Sequence, residues 1–191
     1  MAMPHTSASV DRWTVEQVRA LPDDGQRYEV IEGELLVTPA PRLVHQAAIL
    51  GLQRALDGYL RSQRLGWVLA SPADIVFDPK TLVQPDLFVV PPLEGRRPRE
   101  WSEVTRLLLA VEVLSPGTAA RDRGVKRRLY QRQGTDEYWI VDLDARIIER
   151  WGPSDQRPEV LDQEVVWQPL GATESLTLNA VEFFREAWAE E

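Results

Sequence analysis

A chain of 191 residues is the size of one domain, and with no cysteine it forms neither a disulfide framework nor a thiolate metal site. Hydrophobic residues make up 43% and charged residues 27%, a globular composition, and no apolar run approaches the ~20 residues that span a bilayer. The formal net charge of −8 argues against a phosphate-rich partner, but it is unevenly laid out: residues 1–134 carry 18 basic against 16 acidic side chains, and residues 135–191 carry 4 against 14. The acidity therefore belongs to the C-terminal third. Residues 1–10 read as a flexible start without the apolar core of a secretory signal, so a cytoplasmic protein is expected.

Thr14-Val-Glu-Gln17 has capping-box spacing and predicts a short helix through Ala20, stopped before Pro22. Arg27 to Thr38 alternates around Glu32-Gly33 and predicts a hairpin. In that register Tyr28 and Val30 face Val37 and Leu35, while Glu29, Ile31, Glu34 and Leu36 share the opposite side. From Leu43 to Arg64 apolar residues recur at helical spacing, and Gly66 is the expected stop. Three strands are expected next, at Trp67–Ala70, Asp74–Phe77 and Leu82–Val90, followed by a Pro- and Arg-rich loop over 91–103. Leu107–Leu114 is apolar apart from Glu112, as a central strand buried on both faces requires. Ser115-Pro-Gly-Thr118 breaks the chain before a helix that runs to about Gln133, with Gly134 behind it. Glu137–Leu143 and Arg146–Trp151 predict a second hairpin around Asp144-Ala145. One strand near Val165–Gln168 and a helix from Ala180 to Trp188 complete the chain. The order of elements predicts a single α/β (α+β) domain over 11–191 with a mixed sheet flanked by helices, its core at about 27–152, and a β-rich acidic surface elaboration over 153–191.

A few residues stand out against this background. Asp86 follows Pro85 at the head of an apolar stretch, where an Asp commonly caps a turn. Glu112 is harder to place, because a carboxylate inside a central strand costs several kcal/mol unless a cation, a metal or donors meet it. Lys126 shares a helical face with Asp122, Tyr130 and Gln133, and Val125 and Leu129 supply an apolar stripe beside it. A solvated lysine paired with Asp122 is the ordinary reading. Yet Lys80 and Lys126 are the only lysines among 22 basic residues, and a lysine offers a compact ammonium that an arginine does not. The same helix carries Arg121, Arg123, Arg127, Arg128 and Arg132, a basic face that suits either solvent or a phosphate backbone. His45 opens the long helix. No Gly-rich phosphate loop and no Gly-x-Ser-x-Gly elbow is present, and two His without Cys give zinc few ligands.

Several strings in order carry a resemblance: Arg27-Tyr-Glu-Val-Ile-Glu-Gly-Glu-Leu, then His45-Gln, Gln84-Pro-Asp-Leu, Val111-Glu-Val-Leu-Ser-Pro-Gly-Thr, Arg-Asp-Arg-Gly-Val-Lys126 and Glu137-Tyr-Trp-Ile-Val-Asp142. From about residue 12 to 152 the chain resembles the Uma-type restriction endonuclease family, placed in the PD-(D/E)xK nuclease superfamily. That resemblance implies a restriction-endonuclease-like mixed sheet and assigns catalytic roles to Asp86, Glu112, Lys126, Glu29 and His45. The superfamily's lysine usually stands two residues after the second acid; here that position is Leu114, and the resemblance puts the ammonium at Lys126 instead. It further implies Mg²⁺, or Mn²⁺ in its place, held by Asp86, Glu112 and the carbonyl of Val113. DNA is the implied partner, contacted by Arg121, Arg123, Arg127 and Arg128. The expected activity is metal-dependent hydrolysis of DNA; a catalytically weak member that binds nucleic acid or protein on the same fold is the alternative. A homo-oligomer and no membrane contact are also expected.

Overall fold

The computed structural model of the protein describes residues 12–38 and 40–190; the N-terminal stretch 1–10 lies outside them. Among the described residues no helix is long and apolar enough to cross a membrane. The first helix, α1 (Val15–Arg19), starts on the expected capping box: the Thr14 hydroxyl accepts the Gln17 N–H, and the Gln17 side chain accepts the Thr14 N–H. Strands β1 (Arg27–Ile31) and β2 (Glu34–Thr38) form the hairpin in the expected register, with Tyr28 opposite Val37 and Val30 opposite Leu35.

Helix α2 (Leu43–Gln63) buries Ala48, Ile49, Leu52, Leu56 and Leu60, the stripe that its sequence period supplies. Its stop differs from the expectation. Arg64, not Gly66, takes the left-handed conformation (φ 56°) and closes the helix. Gly66 serves a different need: a Cβ there would sit 2.2 Å from the Val90 carbonyl oxygen, so only glycine lets the two backbones approach.

Strands β3 (Trp67–Ala70), β4 (Ile75–Asp78), β5 (Thr81–Val83) and β6 (Leu87–Val90) follow. The single strand expected over 82–90 is two strands in two different sheets. Gln84-Pro85-Asp86 separates them, since Pro85 has no N–H to give to a ladder. Next come β7 (Leu109–Val113), a helical segment, β8 (Glu137–Asp142) and β9 (Ile147–Trp151). The six-stranded sheet is completed by β10 (Glu159–Leu161), which sequence patterning missed, and has the order β10-β9-β8-β7-β6-β3. Only β7 and β8 pair in parallel, and the helical segment between them is the crossover such a pair needs. A second sheet, β2-β1-β5-β4, is antiparallel throughout.

The main sheet separates two apolar layers. Leu109, Val111 and Val113 of β7 face α2 and the C-terminal helix α5 (Ala180–Ala187). Ala110 and Leu114 face the opposite layer, shared with Ile31 of β1, Ile75 and Val83 of the small sheet, and Leu129 and Tyr130 of the crossover. Glu112 lies between them on that second face.

The C-terminal stretch corrects the expectation of a surface elaboration. Val165 and Trp167 of β11 (Glu164–Trp167) and Phe183, Phe184 and Ala187 of α5 are buried in the first layer, beside the small partner strand β12 (Leu176–Asn179). Acidic side chains occupy its outer surface, which is why composition alone hid its packing role. Truncating Trp167→Ala should therefore cost about 3–5 kcal/mol, measured by urea unfolding. A residue in a surface appendage would cost less than about 0.5 kcal/mol.

Candidate active site

Four elements bring charged side chains to one place. Arg27 and Glu29 alternate on the inward face of β1, Asp86 stands at the break before β6, Glu112 projects from β7, and Asp122 and Lys126 lie on the crossover. All but Arg27 are almost fully buried: Glu29 is 1% exposed, Asp86 and Glu112 3%, Lys126 5%. With His45, Val113 and Arg121 they line a cavity of about 240 Å³.

The crossover is not a uniform helix. A first turn, α3 (Ala119–Arg121), leads into a π-helical turn over Asp122–Lys126 and then into α4 (Arg127–Arg132). The Tyr138 hydroxyl donates to the Asp122 carbonyl (3.1 Å), which also takes the Arg127 N–H from five residues along. A side chain inserted into the helical ladder widens it in this way, and such bulges recur at functional sites. Arg123 anchors the turn from outside, donating to Asp142 (2.9 Å) and Glu149 (2.6 Å). Lys126 is thereby aimed inward.

The Lys126 ammonium lies 2.9 Å from Glu112 Oε1 and 2.9 Å from Glu29 Oε2, with Asp122 at 3.9 Å. Glu112 Oε1 also accepts from the Tyr130 hydroxyl (3.2 Å), and Glu29 Oε1 from the Gln84 N–H (2.7 Å). Asp86 makes a separate set of bonds. Its Oδ1 receives both terminal nitrogens of Arg27 at 2.8 Å, and its Oδ2 receives the Val113 N–H at 2.8 Å and His45 Nε2 at 3.1 Å.

The two sets have opposite electrostatics. Burial opposes ionisation of Asp86, but the His45 ring, the Arg27 guanidinium and the Val113 N–H outweigh it and hold its carboxyl at about 2. Glu112 is pushed well above the carboxylate range, first by burial and then by the charges of Asp86, Asp122 and Glu29, which together exceed the opposing pull of Lys126. Asp122 is raised for the same reasons. Burial works against the Lys126 charge, yet Glu112, Glu29 and Asp122 overcome it and keep the ammonium charged. Four carboxylates thus face two cations, Lys126 and Arg27. Asp122 Oδ1, buried, has no hydrogen-bond partner among the described residues.

Two carboxyl groups in excess of the cations, and a buried Asp122 oxygen with no hydrogen-bond partner among the described residues, offer the acidic oxygens that a hard divalent cation takes. Among the described residues no group of three or more His, Asp or Glu side chains is arranged to hold a metal ion. A cation here would rest on Asp86, Glu112 and the Val113 main chain, with the remaining oxygens coming from water and a bound phosphate.

Every residue singled out in the sequence at the acid–lysine centre reaches this cavity: Glu29, His45, Asp86, Glu112, Val113 and Lys126. The arginines divide. Arg121 lies at the cavity and Arg128 is exposed, whereas Arg123 is held by Asp142 and Glu149, and Arg127 lies over the Trp151 ring at 4.7 Å. Sequence reasoning missed Arg27. Its signal was the strand alternation that put Glu29 inward, which two residues earlier also places Arg27 there.

The protein superimposes on a crystal structure described as a putative nuclease belonging to DUF820, from Anabaena variabilis ATCC 29413, with a TM-score of 0.75 and 23% identity over 92% of this chain and 99% of that one. Residues 15–182 match the model of the Uma2 family, described as "Putative restriction endonuclease", and the chain belongs to that family. No curated protein matches it.

The charge surplus makes a paired prediction, read as melting temperature at pH 7 in a chelator. Glu112→Gln removes a surplus carboxylate and should stabilise the protein by about 0.5–2 kcal/mol. Lys126→Met strands three carboxylates and should cost about 3–5 kcal/mol.

Proposed function

We propose that the protein hydrolyses phosphodiester bonds of DNA with a divalent cation, Mg²⁺ or Mn²⁺, held by Asp86, Glu112 and the Val113 main chain. The observation that carries this reading is the 2.9 Å approach of the Lys126 ammonium to Glu112, beside Asp86 in one cavity. A bound divalent cation lowers the pKa of its water and stabilises the extra negative charge on phosphorus. The protein's own residues supply the rest. Lys126 is too firmly protonated to take a proton, so it acts as a fixed positive charge toward the attacking water and the phosphate. Glu29 holds that ammonium in place, and Gln84 holds Glu29. His45 and the Val113 N–H orient Asp86.

The rim of the cavity has the opposite sign to its floor. Arg42 and Arg121 line the mouth, and Arg42 is only loosely matched to Asp144 at 3.7 Å. A phosphate chain laid across this mouth meets guanidinium groups, while its scissile group reaches the acids below. Of the acidic C-terminal stretch, β11, β12 and α5 pack on the other face of the main sheet, away from this cavity. Binding on this reading is local and modest.

Supercoiled plasmid incubated with Mg²⁺ or Mn²⁺ tests the activity. Wild type should nick or linearise it, and Glu112→Ala and Lys126→Ala should each be slower by roughly 10²–10³-fold. Equal rates in all three would reject the reading. The arginines make a separate prediction through the salt dependence of duplex binding. Arg121→Ala and Arg128→Ala should each lower the slope by about one phosphate contact. Arg123→Ala should leave it unchanged, because that guanidinium is already spent on Asp142 and Glu149.

A further inference from the structure

A carboxylate offers about four lone-pair sites, and Asp86 has all of them filled. Arg27 Nη1 and Nη2 occupy Oδ1, and the Val113 N–H and His45 Nε2 occupy Oδ2. Any cation that takes Asp86 as a ligand must therefore displace a donor already there. Glu112 is different: Oε1 accepts from Lys126 and Tyr130, and Oε2 accepts no hydrogen bond from a described residue.

The three groups around Asp86 are not equally free to leave. The Val113 N–H is fixed in the backbone of β7, whose register against β8 is regular through Val113. His45 is 6% exposed on the first turns of α2, and its other ring nitrogen, Nδ1, is buried without a partner among the described residues. Turning that ring away would leave a second polar atom unsatisfied. Arg27 alone has room: its side chain is 20% exposed and lines the cavity. It also has a pivot, since Nη1 donates to the Gln84 carbonyl at 3.0 Å independently of Asp86.

We infer that Arg27 is an internal counter-ion, holding Asp86 in place in the metal-free protein and giving up Oδ1 to the incoming cation. The inference rests on the proposed metal site and adds a residue that sets its affinity. Arg27 is a positioning residue in this role. Its two bonds keep the carboxylate oriented and neutralised while the site is empty, and their loss is subtracted from the affinity for the cation. Release of the fork also leaves a guanidinium in the cavity where a phosphate oxygen arrives.

Mn²⁺ titration by calorimetry, with no DNA present, tests this on the full chain. Arg27→Gln should bind Mn²⁺ on the order of tenfold more tightly than wild type, the equivalent of one charge-assisted hydrogen bond no longer displaced. Asp86→Asn should bind it much more weakly. Equal or weaker binding by a folded Arg27→Gln overturns the role of Arg27 and leaves the metal site standing. Absence of binding by every form, wild type included, overturns both. Wild type alone provides a second measurement that needs no variant to fold. In ¹⁵N spectra of the arginine side chains, saturating Mg²⁺ should shift one guanidinium from a bonded to a mobile position. Arginine side-chain spectra that do not change as Mg²⁺ saturates the site overturn the inference.

Discussion

Four carboxylates, Glu29, Asp86, Glu112 and Asp122, are held out of water around one ammonium and one guanidinium, and the fold is arranged to tolerate that imbalance. Buried charge is costly unless it is paired and hydrogen-bonded. Three of the four acids have hydrogen-bond donors brought from another element: Gln84 for Glu29, Val113 and His45 for Asp86, Tyr130 for Glu112. The remaining deficit of positive charge is concentrated at Glu112 and Asp122, the two acids whose carboxyls are raised. A site built this way is held at the expense of stability, a trade common where function needs a strained environment.

Holding such a cluster requires rigid walls, and the central strand β7 provides them. One of its faces is sealed by α2, α5, Trp139 and Trp167; the other carries Glu112 between Ala110 and Leu114. The small sheet closes over that second face and brings in Arg27 and Glu29, while the crossover supplies Lys126. The π-helical turn is the joint on which this depends. It is held from inside by Tyr138 and from outside by Arg123, so the lysine is delivered to the acids from a helix, while Leu114, two positions after Glu112, lines the same cavity with an apolar side chain. The net charge of −8 is resolved by the same architecture. Most of the surplus belongs to a stretch that packs behind the main sheet, and the mouth of the cavity keeps Arg42 and Arg121.

Much of this was legible in the chain because it rests on short-range rules. The capping box at Thr14, the Glu32-Gly33 hairpin and its register, the apolar stripe of α2 and the lone acid in an apolar strand are all written within a few residues of one another. The strand break at Pro85 was written there too and was misread, since a run from Leu82 to Val90 looks continuous until two sheets compete for its halves. The same limit hid β10 and β12, which are short and have exposed side chains, so their alternation is weak.

The sequence by itself determined which residues must be reckoned with: Glu112 cannot lie in an apolar strand without a partner, and a chain of arginines that keeps Lys126 marks that position. Only the tertiary structure decided who meets whom. Glu29 and Lys126 are 97 positions apart in sequence and 2.9 Å apart in space, and Arg27 reaches Asp86 across a gap between two sheets. Local patterning fixes which face a side chain takes. The sum of charge within a few ångströms, and therefore the pull on a cation, exists only once the two sheets and the crossover have closed on one another.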